Sequence, residues 1–122
     1  MEFRNLTPHT LNIYRALVNT DGAETGETIL TLSLSPSGVL PRVSERTIYC
    51  FTHLSTGIDT YRTEYGMVEN LPDKEDDVFL IVSAMVRLAL PERSDLCSPG
   101  KLLRDDKGNP IGCVGVYINK QR

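Results

Sequence analysis

Tryptophan is absent from this 122-residue chain, histidine occurs only twice, and lysine occurs four times against nine arginines. There is no basic tail and no Lys/Arg-rich block, and the formal net charge is −3. Duplex nucleic acids are gripped by clustered cations, so no duplex partner is expected. No apolar run approaches the length of a bilayer span, and no N-terminal apolar stretch has the length of a secretory leader. A membrane partner is therefore not expected, and a reducing cytoplasm is. The three cysteines, Cys50, Cys97 and Cys113, are too widely separated for a disulfide framework or a zinc site. In that compartment the sequon Asn5-Leu6-Thr7 carries no glycan.

Catalytic signatures are equally scarce. Neither His9 nor His53 stands beside a cysteine, serine or acid in a nucleophile pattern, although such groups can assemble in space. Walker and dinucleotide glycine patterns are missing. Asp105-x-Lys107-x-Asn109 has the outline of a calcium loop, but Lys107 replaces a ligand and Tyr117 occupies the place of the closing acid. It reads as a turn. The expectation is a chain with no catalytic residues, no metal and no cofactor.

What is present is mostly β-structure. At 122 residues the chain is long enough for one core and too short for two, so residues 1–122 are expected to form a single domain. Leu30, Leu32 and Leu34 alternate with Thr31 and Ser33, the period of a half-buried strand. Leu11 and Ile13 alternate in the same way, and Asn19 to Glu27 supplies a polar connection. A β-branched and aromatic stretch from Arg42 to Leu54 is followed by a strand from about Ile58 to Val68. In it Tyr61, Thr63 and Tyr65 share one face, and Arg62 and Glu64 share the other. Asp105 to Pro110 joins Lys101–Arg104 to Ile111–Tyr117. The fold class expected is α+β, a mostly antiparallel, curved β-sheet with one short helix.

That helix follows the apolar run Val78–Val82. Val82, Met85, Val86, Ala89 and Leu90 recur at the spacing of one helical face, Ser83 can cap the first turn, and Pro91 ends it. The first turn carries no acid. Its free N–H groups are met either by Ser83 and water or by an anion. Two loops offer further polar groups. Asn5-Leu6-Thr7-Pro8-His9 gathers an amide, a hydroxyl and an imidazole on a Pro-restricted turn; internal turn hydrogen bonds are the commoner use of such residues, and reading a base or ribose edge the rarer one. Pro36-Ser37-Gly38 with Arg42-Val43-Ser44 offers a backbone nest beside a guanidinium, or an ordinary hairpin turn. The bias toward arginine, with its planar fork, weakly favours small phosphorylated ligands.

These motifs, in order, carry a resemblance. Asn5-Leu6-Thr7-Pro8-His9, Pro36-Ser37-Gly38 with Arg42-Val43-Ser44, Thr63-Glu64-Tyr65-Gly66, Ile81-Val82-Ser83 and Arg93-Ser94-Asp95-Leu96 are followed by Pro99-Gly100, Arg104-Asp105 and Gly108-Asn109-Pro110-Ile111-Gly112-Cys113. Together they span nearly the whole chain and resemble the first anti-Thoeris sponge family, phage proteins that sequester immune signalling nucleotides. The resemblance implies a nucleotide-binding domain acting in the host cytoplasm on glycocyclic ADP-ribose isomers made by TIR-domain proteins. For some members it also implies cyclic trinucleotides of CBASS defence, bound without cleavage by homo-oligomers, dimers that assemble into hexamers. On that reading the candidates by their chemistry are Arg104 and Arg62 for pyrophosphate or ribose contacts, Phe79 for base stacking and Ser83 with its backbone for the helix-end anion site. Asn5, Thr7, His9, Ser37 and Arg42 would form a second pocket. A phage structural protein, a direct binder of a host factor and a nucleotide-cleaving enzyme are the competing readings. The segment from Asn19 to Glu27 belongs to none of the motifs.

Overall fold

A computed structural model describes residues 1–119; the last three residues of the expected 1–122 domain lie outside the described residues. The strands are β1 (Glu2–Asn5), β2 (Leu11–Val18), β3 (Glu24–Leu34), β4 (Arg42–Thr52), β5 (Asp59–Glu69), β6 (Val78–Ile81), β7 (Leu96–Arg104) and β8 (Pro110–Ile118), with a helix α1 (Ala84–Ala89) between β6 and β7. This is an α+β fold, mostly strand with a single short helix among the described residues. Six strands form one sheet in the order β1-β6-β7-β8-β2-β3, and β4 and β5 pair only with each other as a separate ribbon. The long ladders, β2–β3, β4–β5 and β7–β8, are antiparallel. Three short ones, β1–β6, β6–β7 and β2–β8, are parallel.

Close approach between strands depends on glycine at two places. A Cβ on Gly112 would strike the carbonyl of Asn12 and the ring of Tyr14, where β8 meets β2. A Cβ on Gly100 would strike the backbone of Val114 and Gly115 across the β7–β8 ladder. Neither position has a positive φ, so steric room, not backbone freedom, demands glycine there.

The helix forms where its caps require. Ser83 has extended backbone and its Oγ accepts from the Val86 N–H at 3.3 Å, which satisfies one free donor of the first turn. The helix then runs for six residues only. Its buried face is narrower than the apolar spacing suggests: Val82 and Val86 are buried and Leu90 is half-buried, whereas Met85 and Ala89 are exposed. So short a rod makes fewer than two turns. The far end is closed from a distance, because Asn119 Nδ2 donates to the carbonyls of Leu90 and Arg93 at 3.0 Å each. Arg87 reaches back with Nε to Ser98 Oγ at 2.8 Å and Nη1 to Asn119 Oδ1 at 3.2 Å.

The core is small. Leu6, Leu80, Val82, Val86 and Leu96 are buried together, with Val43, Val68, Leu71, Val78 and Leu90 packed around them. Each full burial of such a side chain is worth about 1.5–3 kcal/mol. Val43 and Val68 face one another across the base of the β4–β5 ribbon, so the ribbon is anchored at one end. Beside the core, Arg93 forks onto Asp95 with Nε–Oδ1 2.8 Å and Nη2–Oδ2 2.7 Å, and it also donates to the Pro72 carbonyl at 3.1 Å. Among the described residues no helix is long and apolar enough to cross a membrane.

Candidate functional site

β1 and β6 are parallel, paired from Glu2–Val78 to Asn5–Ile81, so both leave the sheet at the same edge. Leu6 continues the register, its N–H donating to the Ile81 carbonyl at 2.8 Å. The Leu6-Thr7-Pro8 turn and Ser83 are thereby delivered side by side. On the other flank stands the base of the ribbon, where Arg42 opens β4 and Asn70 follows β5. Between them lies a cleft of about 560 Å³ lined by Leu6, Thr7, Pro8, Leu40, Pro41, Arg42, Asn70 and Ser83. Its size falls in the range of small-molecule sites, which combine apolar walls with a few convergent polar groups.

Three expected site residues from three separate motifs, Thr7, Arg42 and Ser83, meet in this cleft. Arg42 supplies its cation. The guanidinium is exposed, and Nε lies 3.3 Å from Glu69 Oε2. An exposed pair of this kind is weak and screened, so the fork remains able to turn toward an anion. The other polar groups are the Thr7 and Ser83 hydroxyls and the Asn70 amide. Asn70 has φ +63°, a left-handed conformation that asparagine tolerates better than most residues.

Asn5, His9 and Ser37 stand directly behind this edge and build it. The buried Asn5 amide donates to the carbonyls of His9 at 2.7 Å and Leu34 at 3.0 Å. Asn5 Oδ1 accepts from the Thr7 N–H at 2.9 Å and from the Thr7 hydroxyl at 2.6 Å. Two donors and two accepted bonds exhaust the group, so Asn5 positions Thr7. His9 contributes its carbonyl to the same knot, which Thr7 Oγ1 also approaches at 3.2 Å. The Ser37 N–H donates to the Asn5 carbonyl at 2.8 Å, and Ser37 Oγ accepts from the Val39 N–H at 3.4 Å. The two polar loops are thus stitched into one structure.

Arg62, Phe79 and Arg104 stand elsewhere. Arg62 is exposed on the ribbon and its Nη1 lies 2.9 Å from Glu64 Oε1. Phe79 is half-buried in β6, stacked on Phe3 at 5.3 Å with an interplanar angle of 16°. Arg104 ends β7, where Nη1 donates to the Gly108 carbonyl at 2.7 Å and braces the turn. β6 meets the start of β7 at Leu80–Leu96. Arg104 is eight residues further along, roughly 26 Å of extended strand. A single copy of the chain does not gather these three into the cleft.

Several wall residues carried no signal in the sequence. Leu6, Leu40 and Pro41 read as ordinary loop or core residues, and Asn70 had only its place before Leu71-Pro72 to suggest a turn. His53 sits at the ribbon tip, its Nδ1 within 3.1 Å of the Ser55 and Thr56 hydroxyls. Asp105 closes the β7–β8 turn by accepting from the Lys107 and Asn109 N–H groups at 2.9 Å each. No protein-family model, curated protein or solved structure matches the chain.

Proposed function

We propose that this protein binds a small phosphorylated cyclic nucleotide and sequesters it, as the resemblance to phage anti-Thoeris sponges implies. The observation that carries the reading is the convergence of Thr7, Arg42 and Ser83 on one cleft of nucleotide size. A guanidinium matches phosphate oxygens, two hydroxyls and an amide match ribose or base edges, and proline and leucine walls match a ring face. Sequestration asks for affinity alone, and a rigid, hydrogen-bonded rim such as the Asn5–Thr7–Ser37 knot lowers the ordering cost of binding. The reading carries a homo-oligomer with it: for Arg62, Phe79 or Arg104 to touch the same ligand as Arg42, a second copy must bring them.

Incubating the purified protein with a panel of cyclic ADP-ribose isomers and cyclic trinucleotides, followed by native mass spectrometry, tests it. The expected result is a stoichiometric mass shift with at least one panel member, equal to the mass of that nucleotide. If no phosphorylated cyclic nucleotide is retained at micromolar concentration, the reading falls.

A further inference from the structure

Six asparagines occur in the chain, and the fold uses the side chains of five. Asn5 donates to the carbonyls of His9 and Leu34, Asn12 to that of Ile111, and Asn119 to the carbonyls that close the helix. Asn19 accepts from the Asp21 and Ala23 N–H groups inside its turn, and Asn109 donates to Asp105. Among the described residues, Asn70 is the asparagine whose side chain has no partner, and it stands on the wall of the cleft. Its backbone does not require an amide. At φ +63° glycine is the default residue, and glycine fills every other left-handed position of the described chain except Asp77. The position is also held still. Val68 and Leu71 pack against the core on either side, and the Pro72 carbonyl is fixed by Arg93 Nη2 at 3.1 Å. Only the two side-chain torsions of Asn70 remain to be set.

The other polar groups of the cleft are one-sided. Arg42 can only donate. The Thr7 hydroxyl gives its proton to Asn5 Oδ1 at 2.6 Å, so toward a ligand it can only accept. Ser83 Oγ already accepts from the Val86 N–H at 3.3 Å, which leaves its proton as the group on offer. Asn70 alone presents a donor and an acceptor side by side in one plane, the pattern that pairs with the N6 amine and N7 of adenine. We infer that Asn70 is the specificity-determining residue of the cleft, its amide reading the N6–N7 edge of an adenine ring laid against the proline and leucine walls. The inference rests on the nucleotide reading above and adds the base and the residue that selects it. Hypoxanthine, with an acceptor oxygen in place of the amine, leaves Asn70 Oδ1 facing another acceptor and is rejected.

Calorimetric titration with glycocyclic ADP-ribose and with cyclic triadenylate, each beside its hypoxanthine counterpart, tests it. The variant is Asn70→Gly, which keeps the left-handed backbone and removes the amide. The wild type is expected to bind at least one adenine form roughly 5- to 100-fold more tightly than its counterpart, the discrimination of one bidentate pair. Asn70→Gly should bind the two forms equally, with an unchanged circular dichroism spectrum. A residue that only shapes the backbone would lower both affinities together or neither, and a preserved ratio in Asn70→Gly overturns the inference. So does a wild type that does not discriminate, or one that retains only cyclic nucleotides without adenine; in each case the nucleotide reading stands. If the wild type retains no cyclic nucleotide at all, both fall. Should Asn70→Gly fail to fold, the wild type decides with the 7-deazaadenine form of the same nucleotide. Removing N7 should weaken binding by a similar factor, and undiminished affinity overturns the inference.

Discussion

Asn5 holds Thr7 by two hydrogen bonds to a single oxygen, Oδ1, from the N–H at 2.9 Å and from the hydroxyl at 2.6 Å. The other end of the same amide ties down the carbonyls of His9 and Leu34. One buried side chain therefore fixes a rim residue of the cleft, its own loop and the end of β3. Asn5→Asp is the sharpest probe, because it keeps the shape and removes both donors. Two carbonyls then lose their partner, and an unsatisfied buried polar group costs about 1–3 kcal/mol. The variant should lose roughly 2–5 kcal/mol in urea unfolding, and ligand affinity should drop with it. A midpoint within error of the wild type would mean that the knot contributes nothing.

Arg42, Arg62 and Arg104 separate the possible arrangements of a bound phosphate. Arg42 faces the cleft, so Arg42→Ala should weaken nucleotide binding by about 1.5–3 kcal/mol, the range of a charge-assisted hydrogen bond. Its fold should barely change, since the Arg42–Glu69 pair is exposed. Arg62→Ala and Arg104→Ala should weaken binding only if copies of the chain share a ligand. Calorimetric titration of all three decides this, and unchanged affinity in Arg42→Ala would remove the cleft from consideration.

Asp95 makes stability depend on acid. Its carboxylate is buried, and the two hydrogen bonds from Arg93 hold its pKa below the usual carboxylate value. A depressed folded-state pKa contributes stability that is complete above the unfolded value, near 4, and is lost as pH falls through the folded one. The melting temperature should therefore vary little with this pair from pH 5 to 8 and fall below about pH 4. Arg93→Ala should cost about 3–5 kcal/mol at pH 7, because it strands a buried charge. In Asp95→Asn the acid limb should be shallower; an unchanged limb would assign the loss to other carboxylates.

The three thiols should divide cleanly. Cys50 is exposed on β4, while Cys97 and Cys113 are buried. Burial also pushes the Cys97 thiol up to about 12, far from the thiolate that reacts. A thiol-reactive dye at pH 8 should modify one cysteine rapidly in the native protein and three in denaturant. Fast reaction of a second thiol would mean that β7 or β8 opens readily.

Local features of this fold were readable from the chain, and distant ones were not. Ser83 and Pro91 delimit the helix because capping and helix breaking act over a few residues. The two faces of β5 follow from a period of two, with Tyr61 and Tyr65 opposite Arg62 and Glu64. β1 leaves no periodic signal because it is four residues long, and its partner β6 lies more than seventy residues away. The separation of the ribbon from the main sheet was equally hidden, since no periodicity says which strands pair. Within the candidate site, Thr7, Arg42 and Ser83 could be nominated by their chemistry. Their neighbours Leu6, Leu40 and Pro41 are apolar residues whose role is only their position. Asn5 reads as a ligand contact in the sequence, but its amide is consumed once Leu34 and His9 come within reach.

If the protein is a sponge, its ligand must survive. Hydrolysis needs a poised base, an activated nucleophile or a metal-bound hydroxide, and the polar groups of the cleft are a guanidinium, two hydroxyls and an amide. Ser83 is the one serine there, and its oxygen accepts from the Val86 N–H as a helix cap. That contact uses a lone pair and pulls no proton away, so it does not activate the hydroxyl for attack. Holding a scarce signal also calls for roughly nanomolar affinity, about −12 kcal/mol. Denaturing the loaded protein by heat should accordingly release the nucleotide intact, with unchanged mass and full ability to activate its effector. The amount recovered should be the same after minutes and after a day of incubation. A linear or hydrolysed product that accumulates with time would establish turnover and replace sequestration with catalysis.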